Sequence, residues 1–176
     1  YENIEGICIS TAGMVDPEEG KIVFAGELMP DYTGTCIKKE LEKTLGIPCE
    51  VENDVNCAGL AEYISGAAKE SHIMFCATVG TGIGGCAIVD GSVFHGASNS
   101  ACEIGYIPME DSDFQTLGAS SILIKKVAGK KREPLDMWDG KKIFELAEKG
   151  DEVCISAIKE MCDCLLYTSD AADDSL

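Results

Sequence analysis

The sequence predicts an α/β fold of layered strands and helices, divided near Gly66–Ser71, and three observations carry that expectation. The first is Phe75-Cys76-Ala77-Thr78-Val79-Gly80-Thr81-Gly82-Ile83-Gly84-Gly85-Cys86-Ala87-Ile88-Val89, where two short apolar runs flank four glycines within six positions. Apolar runs of that length, rich in β-branched residues, read as strands. The second is the helical spacing of Ile37, Leu41 and Leu45, stopped by Gly46-Ile47-Pro48. The third is order: strand-like runs lie before and between helical stretches, the pattern of a sheet covered by helices.

Taken along the chain, Ile4–Ser10 alternates as a strand and ends at the small-residue turn Thr11-Ala12-Gly13. Asp16-Pro17-Glu18-Glu19-Gly20 has the composition of a hairpin loop, and Lys21–Phe24 returns as a strand. Pro30–Gly34 is loop and Thr35–Leu45 helix. Cys49–Glu52 is a short strand, after which Asn53-Asp54 opens a helix to about Ser65. Gly66-Ala67-Ala68-Lys69 is a junction, and the glycine hairpin follows, then Asp90-Gly91 as a turn between two strands. A Gly/Ser/Asn loop runs from Gly96 to Ala101. Helices are expected over Ser121–Ala128, after Asp139-Gly140, and over Asp151–Cys164. On this reading residues 1–68 are one partial domain, 69–164 a second, and the Asp/Ala/Ser-rich stretch 165–176 a non-native or disordered tail. The opening strand has nothing before it to pair with, so both ends read as cut.

Composition narrows the function. A hydrophobic fraction of 45% with 26% charge is that of a globular protein and excludes the disordered class. The net charge of −17 argues against a nucleic-acid surface, since phosphate backbones are held by Lys and Arg. Ten cysteines with no C-x-x-C pair lie scattered through apolar runs and read as small hydrophobes in a reducing cytosol. With only His72 and His95 present, a Cys/His zinc site has little to draw on. No apolar run is long enough to span a bilayer.

Three segments carry chemistry. Gly80, Gly82 and Gly85 match G-x-G-x-x-G, but a strand, not a helix, follows, which rules out the dinucleotide reading. What remains is a glycine hairpin, either a plain tight turn or one whose backbone N–H groups line an anion. Glu52-Asn53-Asp54-Val55-Asn56 sits at a strand end and a helix start, where ligands gather in open α/β sheets. Asp54 there is either a helix cap or a working carboxylate. In Gly96–Tyr106 a polar loop leads to Glu103, read as a solvated acid or a ligand contact.

Taken together, Ile9-Ser10-Thr11-Ala12-Gly13-Met14-Val15-Asp16, Val51–Asn56, Val79–Gly85 and Glu103-Ile104-Gly105 resemble the ROK family over roughly residues 4–164. The family includes bacterial sugar kinases and sugar-responsive repressors. The resemblance implies the actin-like, ribonuclease-H-like ATPase fold, with two domains flanking a cleft for sugar and ATP. It implies Asp54 as the general base toward a sugar hydroxyl and Gly13, Asn53, Asp54, Glu103 and Tyr106 as sugar contacts. Gly80, Thr81, Gly82, Gly84 and Gly85 would surround the ATP phosphates, with Mg²⁺ accompanying ATP. A cytoplasmic enzyme acting on a small sugar is implied, with no nucleic acid through this segment, no membrane, and a homodimer as one possible assembly.

Departures from the family pattern refine this. A first phosphate loop of D-x-G-G-T type would lie before Tyr1, and the C-terminal adenosine-binding part is missing, so the chain alone is expected to be inactive. Tyr106 stands where the family has a zinc-binding His, and no cysteine occurs in Asp111–Ser121, so zinc is not expected. A zinc-free branch related to glycoside kinases is the implied relative. Asn99 and Cys102 stand where glycines are common. The alternative reading is the sugar-sensing domain of a ROK repressor without kinase activity; a generic acidic α/β domain is a third.

Overall fold

The computed structural model of the chain describes residues 3–26, 29–109 and 112–173, the last seven by backbone alone. Asp111 and the end of the tail, 174–176, lie outside the described residues. The described residues pack as two compact units, Tyr1–Cys76 with Gly85–Cys102, and Ala77–Gly84 with Glu103–Leu176. Each is discontinuous because the chain passes out of the first unit at Cys76 and returns to it at Gly85. The division at 68/69 concerns the domains of the full-length protein and stays a proposal.

In the first unit, strand β1 (Ile7–Thr11) runs parallel to β4 (Cys49–Asn53), with Ile7 opposite Cys49 and Thr11 opposite Asn53. A parallel pair needs a long connection. Here it contains the antiparallel hairpin of β2 (Met14–Asp16) and β3 (Lys21–Phe24), then helix α1 (Ile37–Leu45). The opening strand therefore begins three residues later than its alternation suggests, and its partner comes from downstream. The hairpin loop turns because Asp16 Oδ1 accepts the N–H groups of Glu18 and Glu19 at 3.0 and 3.1 Å. Helix α1 ends as expected at Gly46, whose φ of +66° lets its N–H reach the Glu42 carbonyl. Ile37 and Leu41 pack against buried Val15, Ile22, Cys49 and Val51, whereas Leu45, on the same expected stripe, is exposed. Burying Val15, Ile22 or Val51 contributes roughly 1.5–3 kcal/mol each.

Helix α2 (Asp54–Ser65) lies against the sheet of β5 (Ile73–Val79), β6 (Ile83–Val89) and β7 (Ser92–Val93). Val55, Leu60 and Tyr63 of the helix meet Met74, Cys86 and Ile88. The approach is close at Gly59, where a Cβ would lie 2.6 Å from Cys86 Sγ. Burial pushes the Cys86 thiol up to about 11, so it stays neutral and behaves as a small hydrophobe. Cys49 and Cys154 are buried too, but Cys8 and Cys162 are exposed, so the hydrophobe reading does not extend to all ten. The β6–β7 turn is Asp90-Gly91, both with positive φ (48° and 85°), as an Asp-Gly hairpin requires.

In the second unit, a short β8 (Pro108–Met109) and β9 (Ser112–Asp113) precede α3 (Phe114–Gly118), α4 (Ser120–Lys131), α5 (Gly140–Glu148) and α6 (Glu152–Asp173). Leu123, Val127, Trp138, Ile143, Cys154 and Ala157 form its main core. Asp139 caps α5 through a bond from the Lys142 N–H, which is why the helix starts at Gly140. Helix α6 does not stop at Cys164: it continues to Asp173, Leu and Ala in the tail being good helix formers. Among the described residues no helix is long and apolar enough to cross a membrane.

Asp151 ties the end of α4 to the start of α6. Its Oδ2 accepts from Lys131 Nζ at 2.6 Å and its Oδ1 from the Cys154 N–H at 3.1 Å. Those bonds, the lysine's first, lower its carboxyl from 3.8 to about 2. A carboxyl lowered in the folded state adds stability above its ordinary value, and that stability is lost as pH falls through the folded value. Asp151→Asn keeps an acceptor for Cys154 but removes the charge. In the full-length protein it is expected to lower Tm at pH 7, with the gap to wild type closing between about pH 4 and 2. A gap that does not depend on pH in a thermal-melt series would contradict the assignment.

Candidate active site

At the end of β4 the Asn53 backbone is still extended (φ −61°, ψ 146°), and its side chain sets where α2 begins. Asn53 Oδ1 accepts the N–H groups of Val55 at 2.8 Å and Asn56 at 3.1 Å, satisfying two of the helix's orphan donors. Its Nδ2 donates to the Gly13 carbonyl at 2.9 Å. One side chain thus starts a helix and ties it to the turn after β1. Gly13 has φ +97°, and a Cβ there would lie 2.7 Å from the Phe24 carbonyl oxygen, so only glycine fits.

The cap is therefore Asn53, not Asp54. Asp54 is the first helical residue; its side chain is exposed, and among the described residues Oδ1 accepts only the adjacent Val55 N–H, at 3.0 Å. Relieved of capping, this carboxylate stands at the strand end with the helix dipole favouring its charge.

Beneath it lies a network that sequence reasoning missed. Glu52 Oε1 accepts the Asn53 N–H at 2.7 Å and Asn56 Nδ2 at 2.9 Å, while Oε2 meets His95 Nε2 at 2.7 Å. Both partners of the last bond are largely buried, with side-chain exposures of 17% for Glu52 and 24% for His95. The four-residue spacing of Glu52 and Asn56 was a usable signal. The separation of 43 positions from Glu52 to His95 carried none.

In the second unit, the β5–β6 connection is the bend Gly80-Thr81-Gly82, closed by a bond from the Gly80 N–H to the Gly82 carbonyl at 2.8 Å. The Gly80 carbonyl accepts from the Ser120 N–H at 2.9 Å, and the Thr81 carbonyl from Ser121 Oγ at 2.6 Å. In a trans peptide the next residue's N–H points opposite to the carbonyl. The N–H groups of Thr81 and Gly82 are thus turned away from the start of α4, and Gly80 and Thr81 are exposed. Paired N–H groups at a glycine bend can line an anion. Gly84 lies within β6. Gly85, assigned to the first unit, packs against Cys102, where a Cβ would lie 2.6 Å from the carbonyl oxygen.

Glu103 precedes a short 3₁₀ turn, Ile104–Tyr106, and its carbonyl accepts the Tyr106 N–H at 3.2 Å. Gly105 seats this turn directly against the Ile83 carbonyl, bringing Glu103 and Tyr106 to the hairpin's second strand. The Tyr106 ring is half exposed. Asn99 and Cys102 both have left-handed backbones (φ 56° and 63°), which explains why glycine suits those positions. So the structure gathers Gly13, Asn53 and Asp54 in one unit, and Gly80, Thr81, Gly82, Glu103 and Tyr106 in the other. Among the described residues no group of three or more His, Cys, Asp or Glu side chains is placed to hold a metal.

The chain belongs to the ROK family, whose model matches residues 1–166. An uncharacterised protein of Clostridium perfringens is 49% identical over 161 residues, covering 92% of this chain and 55% of its own. A β-glucoside kinase of Klebsiella pneumoniae is 33% identical over 168 residues, covering 91% and 56%. The solved ROK glucokinase of Streptomyces griseus, in complex with glucose and AMPPNP, superposes with a TM-score of 0.76 at 26% identity, covering 92% of this chain and 59% of that one. The chain spans about half the length of the curated relatives it matches. Its fold is the α/β, actin-like fold of ROK sugar kinases.

The division of labour between Asn53 and Asp54 is measurable as stability. In the full-length protein Asn53→Ala is expected to cost about 1–2 kcal/mol in urea denaturation, the loss of a helix cap. Asp54→Ala should cost no more than about 1 kcal/mol, the dipole interaction alone. The reverse order would return Asp54 to the role of cap.

Proposed function

We propose that the full-length protein is an ATP-dependent kinase of a sugar hydroxyl, acting on glucose or a β-glucoside, with Asp54 as general base. The observation that carries this reading is the Asp54 carboxylate, exposed at the carboxyl end of β4 and freed from capping by Asn53. The sugar hydroxyl gives its proton to Asp54, its oxygen bonds to the γ-phosphorus, and the bond to the β,γ-bridging oxygen breaks to release ADP. Such transfer needs alignment and charge stabilisation more than covalent chemistry. The β-glucoside kinase and glucokinase relatives support the class of reaction, and the AMPPNP in the Streptomyces structure supports ATP as donor. A cytoplasmic location belongs to the same reading, since the cytoplasm is where ATP would be available to such a kinase.

The other roles follow from the chemistry of each group. Asn53 Oδ1 is saturated, so toward sugar the side chain has one remaining N–H. Gly13 contributes backbone, and Glu103 a carboxylate that accepts from hydroxyls. Thr81 and Gly82 present N–H groups to a phosphate oxygen, with Gly80, Gly84 and Gly85 shaping the hairpin. Mg²⁺ would enter with the ATP phosphates and would supply charge neutralisation there; among the described residues no group of three or more His, Cys, Asp or Glu side chains is placed to hold it. Tyr106 offers a flat apolar face and one hydroxyl, suited to a ring or an aglycone rather than to strict reading of an anomeric hydroxyl.

The test is a coupled ADP-release assay on the full-length protein with glucose and with methyl β-glucoside. Asp54→Asn is expected to lower kcat at least about 10²-fold while sugar affinity changes little. In the wild type the two sugars should give kcat/KM values within about tenfold, since an apolar wall discriminates only modestly. A normal kcat in the variant would remove Asp54 from the reaction.

A further inference from the structure

Glu52 and His95 form a half-buried pair, with side-chain exposures of 17% and 24%, whose charge is partly withdrawn from water. Glu52 is an acceptor-only group when ionised, and its three bonds come from three separate elements of the first unit. The Asn53 N–H comes from the end of β4, Asn56 Nδ2 from the first turn of α2, and His95 Nε2 from the segment after β7. Facing an ionised carboxylate, Nε2 is the nitrogen that carries the proton, which fixes the imidazole's orientation. His95 is itself held on both sides. The Phe94 N–H donates to the Ala87 carbonyl at 2.8 Å, and the His95 carbonyl accepts the Ala101 N–H at 3.1 Å.

We propose that His95 is a positioning residue for phosphoryl transfer, acting through Glu52 on the Asn53–Asp54 corner; this rests on the kinase reading above. Without the imidazole, Glu52 Oε2 is a largely buried carboxylate oxygen with no donor, which is costly. The carboxylate then turns toward water, and Oε1 leaves the Asn53 N–H and Asn56 Nδ2. The residue immediately before Asp54 loses its backbone anchor, and the base drifts from the attacking hydroxyl. Misplacement on the scale of 1 Å can lower a rate by on the order of 10²-fold. His72 is the natural control, because its 3.4 Å pair with Asp90 is almost wholly solvent-exposed and no other element depends on it.

The experiment compares the full-length wild type with His95→Ala, His95→Gln and His72→Ala. In steady-state kinetics His95→Ala is expected to lower kcat at least about tenfold with KM for ATP unchanged. His95→Gln, whose amide can donate to Glu52, is expected to recover kcat to within about threefold of wild type. His72→Ala should match wild type. Amide hydrogen exchange at Val55 and Asn56 is read on the same samples, and should be at least about tenfold faster in His95→Ala and restored in His95→Gln. Should the wild type phosphorylate no sugar, the kinase reading fails while the exchange data still decide on His95. Wild-type kcat together with wild-type exchange in His95→Ala would overturn the proposal, as would a loss of kcat that His95→Gln does not restore.

Discussion

The corner that carries Gly13, Asn53 and Asp54 depends on how the side-chain amide of Asn53 spends its hydrogen bonds. Oδ1 faces along the helix and takes two backbone N–H groups; Nδ2 faces back and holds the Gly13 carbonyl. An aspartate could cap as well but could not donate to Gly13, and a serine would not reach both. The corner is therefore rigid because one planar group bridges a helix start and a turn that are 40 residues apart in sequence. A carboxylate directly after such a residue inherits a defined position without doing any structural work of its own.

The glycine hairpin uses a related economy. Its carbonyls are taken by the start of α4, through Ser120 and Ser121, and the peptide planes then leave N–H groups facing the other way. The glycines have unequal reasons to be there. Gly85 and Gly105 are required because a carbonyl lies where a Cβ would go, whereas Gly80 has open space around it. Close packing fixes the hairpin's base, and the bare tip is what can approach a ligand.

Local signals made much of this legible. Gly46 followed by proline, the Asp90-Gly91 pair and the caps at Asn53 and Asp139 mark element ends because each satisfies backbone groups within a few residues. The segments from Thr11 to Gly13 and from Glu52 to Asn56 were recognisable by composition. Long-range pairing was not. Nothing in the residues around Ile7 announces that β1 will lie beside β4, nor that His95 will meet Glu52, because those partners are chosen by the packed fold. Leu45 shows the converse limit: a position can sit on the apolar stripe of a helix and still face water. The continuation of α6 past Cys164 shows that a change in composition need not end a helix.

Asn53→Asp in the full-length protein tests this account most directly. The variant keeps an acceptor for the Val55 and Asn56 N–H groups but replaces the donor to Gly13 with an oxygen facing an oxygen. The account predicts a folded protein with helix content unchanged by circular dichroism and kcat/KM for sugar reduced at least about tenfold, because the tie between turn and helix is lost. Wild-type kcat/KM in a folded Asn53→Asp variant would contradict it.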